Sequence, residues 1–133
     1  MATWEEYKKT MRNEEDIFEY ARQGDLPALV NYLAQGGDAN RKNHRGYSLL
    51  MLAAYNEREA ACRLLLEAGA DVNGRDNSGN TILMGVSFKG YPQIASLLIN
   101  SGADRKLRNC MGMTALLFAK TFRRADVVKI LST

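Results

Sequence analysis

Residues 46–79 read GYSLLMLAAYNEREAACRLLLEAGADVNGRDNSG, a stretch that begins and ends on glycines 33 positions apart. Gly112 continues that series at the same interval, and a second series, Gly36, Gly69 and Gly102, keeps the same spacing. Around the second series stand GGDAN at 36–40, GADVN at 69–73 and GADRK at 102–106. Two glycine series in constant phase mark an internal repeat, which governs every later assignment.

Within a unit, Gly46-Tyr47-Ser48-Leu49-Leu50, Gly79-Asn80-Thr81-Ile82-Leu83 and Gly112-Met113-Thr114-Ala115-Leu116 each read as a turn, a hydroxyl N-cap and an apolar helix. A second helix follows in Ala61–Leu66, Ile94–Ile99 and Val127–Leu131, apolar on most sides and closed by the Gly36 series at its C-cap. Pro27 and Pro92 fall in the first turn of this second helix, where a missing N–H costs little. Each unit is therefore helix, turn, helix and a polar connection of about nine residues.

The 33-residue period, with G-x-T-x-L-x-x-A and L-L-x-x-G-A-D wording, resembles an ankyrin repeat array. The resemblance implies one all-α domain over residues 1–133, a solenoid of stacked helix-turn-helix units with hairpin-like finger loops. Its expected divisions are an N-terminal capping helix over 1–13 and repeats at about 14–40, 41–73, 74–106 and 107–133. The family's Thr-Pro-Leu-His becomes Ser48-Leu49-Leu50-Met51, Thr81-Ile82-Leu83-Met84 and Thr114-Ala115-Leu116-Leu117, so its proline and histidine are both absent. Losing that histidine removes a polar tie that usually joins neighbouring units. The turn glycine between helices stands at Gly24 and Gly90, with Glu57 and Arg123 in the other units. Trp4, Tyr7 and Met11, at i, i+3 and i+7, form one helical stripe suited to covering the exposed edge of the first unit.

Motifs that suggest chemistry have simpler explanations. Gly74–Thr81 resembles a phosphate loop, but Asn80 stands where the lysine belongs and the glycines already follow the repeat period. His44 is the one histidine, and neither Ser48 nor Cys110 completes a nucleophile, base and orienting group with it. Glu14, Glu15, Asp16 and Glu19 open a helix, where acids meet the dipole and solvent. The reading is non-catalytic, with no cofactor and no metal; a single histidine excludes a His-rich metal site within this chain.

The chain has 133 residues, 46% of them hydrophobic and 25% charged, the proportions of a globular protein. No window approaches eighteen apolar residues, residues 1–10 carry charges where a signal peptide is apolar, and Asn-x-Ser/Thr is absent. With only Cys62 and Cys110 present, the expectation is a cytoplasmic protein that does not engage the membrane. The net charge of +3 hides a polarity, since residues 1–37 carry four basic and seven acidic groups and residues 38–133 carry fourteen and eight.

The connections 38–46, 71–79 and 104–112 hold seven basic residues against four acids. By the resemblance these connections project as fingers, so the implied partner-binding set includes Arg41, Lys42, His44, Arg45, Arg75 and Arg108. The concave side of the first helices adds Leu52, Tyr55, Phe88, Lys89, Phe118 and Phe122, and Tyr47, Met111 and Met113 extend the patch at the finger tips. Aromatic residues beside arginine are the composition of interface hot spots.

The expected function is occupancy of a partner protein's surface, as an inhibitor, regulatory or immunity-type protein acts. The partner's complementary surface would be acidic and the free protein a monomer. Nucleic-acid association through the basic fingers, or an adaptor role, is the alternative. A charge of +3 is modest beside the phosphate density of a nucleic acid, which argues against that partner.

Overall fold

The computed structural model describes residues 3–133, with the side chains of 6–15 left aside. Among the described residues there are eight α-helices: α1 (Trp4–Gln23), α2 (Leu26–Ala34), α3 (Leu49–Tyr55), α4 (Glu59–Glu67), α5 (Ile82–Lys89), α6 (Pro92–Asn100), α7 (Ala115–Thr121) and α8 (Ala125–Leu131). They form two rows. Helix α1 packs on α3, α3 on α5 and α5 on α7, while α2, α4, α6 and α8 stack in the same order behind them. This is the all-α solenoid expected from the repeat.

Local chemistry explains where the helices start. Ser48, Thr81 and Thr114 are the N-caps of α3, α5 and α7, each accepting a hydrogen bond from the N–H three residues on, at 3.1, 3.2 and 3.2 Å. In α3 and α5 the missing histidine has a substitute: the Ser48 N–H donates to Met51 Sδ and the Thr81 N–H to Met84 Sδ, both at 3.4 Å. A thioether thus closes a reciprocal box of the kind a glutamate or glutamine usually closes. Pro27 and Pro92 lie in the first turns of α2 and α6, as expected. Gly36, Gly69 and Gly102 sit one residue beyond the caps Gln35, Ala68 and Ser101, a one-residue shift from the sequence reading.

A single apolar cluster runs the length of the stack, from Ile17 in α1 to Leu131 in α8. Leu49, Leu50 and Met51 of α3 and Ile82, Leu83 and Met84 of α5 are wholly buried, facing Leu29, Leu65, Ile94 and Leu98 of the rear row. Burying each large aliphatic side chain contributes roughly 1.5–3 kcal/mol, so the core strip outweighs any single loop contact. Cys62 lies in this strip and behaves as a small apolar residue.

At the N-terminus α1 runs unbroken from Trp4 to Gln23, across the boundary expected between residues 13 and 14. Trp4 is 64% exposed, and the side chains of Tyr7 and Met11, the rest of the expected stripe, lie outside the described residues, as do those of Glu14 and Glu15.

Candidate functional site

Each finger is built on one side chain that recurs every 33 residues. Asn43 Oδ1 accepts from the N–H groups of Arg45 and Tyr47, Asp76 Oδ1 from Ser78 and Asn80, and Asn109 Oδ1 from Met111 and Met113, all within 2.9–3.0 Å. The same three residues donate their own N–H to the carbonyls of Tyr47, Asn80 and Met113. Such Asx turns make the finger tips stiff, because the backbone donors that would otherwise reach for water are already satisfied.

Neighbouring fingers are tied together. Lys42 Nζ donates to the Arg75 carbonyl at 3.0 Å, and Arg75 Nη1 to the Arg108 carbonyl at 3.3 Å. Arg108 Nη1 in turn reaches the Gly112 carbonyl of its own finger at 2.9 Å. Asn40 and Asn73 bridge successive units, each accepting from an aspartate N–H and donating to a glycine carbonyl of the next unit. These bonds replace the polar ties expected to vanish with the repeat histidine. They also change the meaning of the basic finger row, since Lys42 and Arg75 hold neighbouring fingers in register and Arg108 braces its own. Arg41 lies over the Phe18 ring at 5.7 Å, and His44 and Arg45 are exposed.

The aromatic residues converge where the fingers meet the first helices. Tyr47, Tyr55, Phe88, Lys89 and Phe118 line one groove of about 190 Å³, together with Asp76, Asn80, Met84 and Gly85. The rings of Tyr47 and Tyr55 meet edge to face with centroids 6.4 Å apart. Beside them Phe88 and Phe122 form a second edge-to-face pair at 4.6 Å, and Phe122 stacks on Phe118 at 6.4 Å. Phe88 and Phe122 are 41% and 43% exposed, and Met111 at the last finger tip is 83% exposed. Met113 is half-buried.

Leu52 needs correcting. It was expected on the accessible face, but only 6% of it is exposed and it belongs to the core. Helix α3 has α1 on one side and α5 on the other, so an apolar side chain there is covered by neighbours. The same repeat position one unit on is Gly85, and a Cβ there would strike the Tyr55 ring. That missing side chain makes room for Tyr55 against α5. Burial, then the Asp76 carboxylate, then Tyr47 push the Tyr55 phenol well above its ordinary range.

The sequence reading passed over Asp76, Asn80 and Gly85, which complete the groove. The 33-residue series Asn43, Asp76, Asn109 was the available signal, because one member carries a charge that the other two lack. Leu117 was also missed. It occupies the position of the buried Met51 and Met84 but is 45% exposed, because no unit stacks beyond it among the described residues.

Among the described residues no group of His, Cys, Asp and Glu could hold a metal ion, and no helix is long and apolar enough to cross a membrane.

A family model described as ankyrin repeats, in three copies, matches residues 17–109. An ankyrin repeat protein of Pseudomonas aeruginosa is 46% identical over 48 residues, which is 36% of this chain and 28% of that protein's length. Repeats of this kind generally serve as non-catalytic protein–protein interaction modules. With its period, capped helix pairs and tied fingers accounted for, the chain belongs to the ankyrin repeat family.

Proposed function

We propose that this protein binds a partner protein through the face where its fingers meet the first helices, and acts by covering a surface that the partner needs. The observation that carries this reading is the Phe88–Phe122 pair, two rings in edge-to-face contact that are each more than two-fifths exposed. Apolar rings held rigidly at the surface lose little conformational freedom on binding, which is how interface hot spots gain their energy. Met111 and the half-buried Phe118 and Met113 widen the patch. The charge polarity of the chain suits a partner with an acidic surface, and the exposed Arg45 and His44 stand at the rim, where charge mainly sets the rate of encounter. Inhibition, regulation or an immunity role is the form this occupancy takes in the proposal. Its setting is cytoplasmic, consistent with two free cysteines, and the unbound protein is a monomer.

The test is the double substitution Phe88→Glu and Phe122→Glu, chosen because both rings are exposed and their loss leaves the core intact. Immobilised wild-type protein is compared with the variant in capture from the native cell, read by mass spectrometry, with far-ultraviolet circular dichroism as the fold control. A folded variant that retains the captured protein at unchanged affinity rules the surface out. Nucleic-acid binding is the weaker reading, because Lys42, Arg75 and Arg108 donate to finger carbonyls. Salt-sensitive retention of RNA or DNA in a gel shift would favour it.

A further inference from the structure

The aromatic groove holds a carboxylate that the finger turn does not require. Asn43 and Asn109 close the equivalent turns with the same pair of backbone hydrogen bonds, using a neutral amide oxygen. At 76 the residue is aspartate, with Oδ1 accepting the Ser78 and Asn80 N–H groups and Oδ2 accepting Asn80 Nδ2 at 3.2 Å. The turn therefore fixes the carboxylate in place while leaving a full negative charge at the groove wall. Around it stand the rings of Tyr47, Tyr55, Phe88 and Phe118.

We propose that this groove receives one basic side chain, a lysine or arginine, projecting from the partner protein. The inference rests on the interface reading above and specifies its anchor. Aromatic faces attract a cation through the ring quadrupole, and the attraction strengthens as water is excluded. Tyr47 and Tyr55, nearly perpendicular at 87°, both line the groove. The volume of about 190 Å³ suits a single side chain and is too small for a helix. The Asp76 field already reaches the Tyr55 phenol, where it adds to burial in opposing ionisation.

Lys89 also lines the groove. It lies five residues beyond Met84 on α5, roughly 7.5 Å along the helix axis at 1.5 Å per residue. The lining thus carries one group of each sign, Asp76 and Lys89. The occupant's charged head meets Asp76, with its aliphatic stem against the aromatic lining.

The test is an NMR titration of the ¹⁵N-labelled full chain with three probes: Nα-acetyl-lysine methylamide, Nα-acetyl-arginine methylamide and Nα-acetyl-norleucine methylamide. The expected result is shifts at Asn80, Gly85 and Phe88 from a basic probe, with at least tenfold tighter binding than norleucine. Asp76→Asn, which reproduces the turn chemistry of Asn43 and Asn109, is expected to remove that preference and leave the rest of the spectrum unchanged. Equal binding of lysine, arginine and norleucine, no shift from either basic probe, or a preference that survives Asp76→Asn overturns the proposal. Those outcomes leave the interface itself standing, whereas unchanged capture by the Phe88→Glu, Phe122→Glu variant removes the interface whatever the probes do.

Discussion

Arg124 lies over Gly90 across a repeat boundary: its Nε donates to the Phe88 carbonyl at 2.9 Å, and a Cβ on Gly90 would come within 2.7 Å of its Cδ. The same arrangement joins Arg58 to Gly24, with Arg58 Nε donating to the Arg22 carbonyl at 3.0 Å. The turn glycine is thus present in the two units whose following unit supplies an arginine. Where Glu57 and Arg123 take its place they adopt φ of 59° and 58°, the left-handed region that an L side chain enters at a cost.

Gly90→Ala is expected to lower the free energy of unfolding by about 1–2 kcal/mol, from left-handed strain plus displacement of Arg124. Pairing it with Arg124→Ala should recover the displacement part only. Conversely, Glu57→Gly and Arg123→Gly should each raise stability by up to about 1 kcal/mol, with urea unfolding as the measurement. A loss of stability in both would contradict the strain assignment.

The methionine caps make a second prediction. Met84→Leu keeps the volume of a buried side chain but takes the acceptor from the Thr81 N–H, so it should cost about 1 kcal/mol. Leu117→Met in the last unit tests the converse. It is expected to be neutral or slightly stabilising, since that position is 45% exposed and its N-cap N–H can bond water instead. Thermal unfolding of the two variants side by side measures the contrast.

Asn73 ties the second unit to the third through the Gly102 carbonyl and the Asp104 N–H. Asn73→Ala should therefore destabilise the array by about 1–2 kcal/mol and lower cooperativity, because stacked repeats depend on their nearest-neighbour terms. The readout is the urea midpoint together with the slope. Asn73→Asp restores the acceptor and should recover part of the loss.

Alkaline pH weakens the fold by a predictable sign. Burial, helped by nearby Glu59, pushes the Cys62 thiol up to about 12. The native state therefore keeps a proton that the unfolded chain releases above about pH 9, and stability falls from there towards pH 12. Tyr55 acts in the same direction. The slope contributed by Cys62 should approach about 1.4 kcal/mol per pH unit, and Cys62→Ala should flatten it. At neutral pH a thiol reagent should label the exposed Cys110 rapidly and leave the buried Cys62 untouched.

How much of this was readable in advance follows from the range of each interaction. The helix starts at Ser48, Thr81 and Thr114 and the burial of Leu50 and Leu83 are written locally, in a hydroxyl before an apolar run and in a fixed period. Tyr55 and Phe88 were equally readable, standing one period apart, and Phe118 and Phe122 flank the next equivalent position, Thr121, at helical spacing. Leu52 was misplaced because burial depends on what stands on either side of α3, which position within one unit does not state.

By itself, then, the sequence determined the repeat, its helix pairs and the order in which they stack, since turn residues, N-caps and apolar spacing act within a few residues of one another. Only the tertiary structure decided how that face is divided. It assigned Lys42, Arg75 and Arg108 to the ties that hold the fingers, gave Asp76 to the groove wall, and used the missing Cβ of Gly85 to seat Tyr55. The reason is physical: apart from the Arg108–Gly112 bond, each of these contacts joins groups from different repeats, and hydrogen-bond geometry and close approach exist only once the units have stacked.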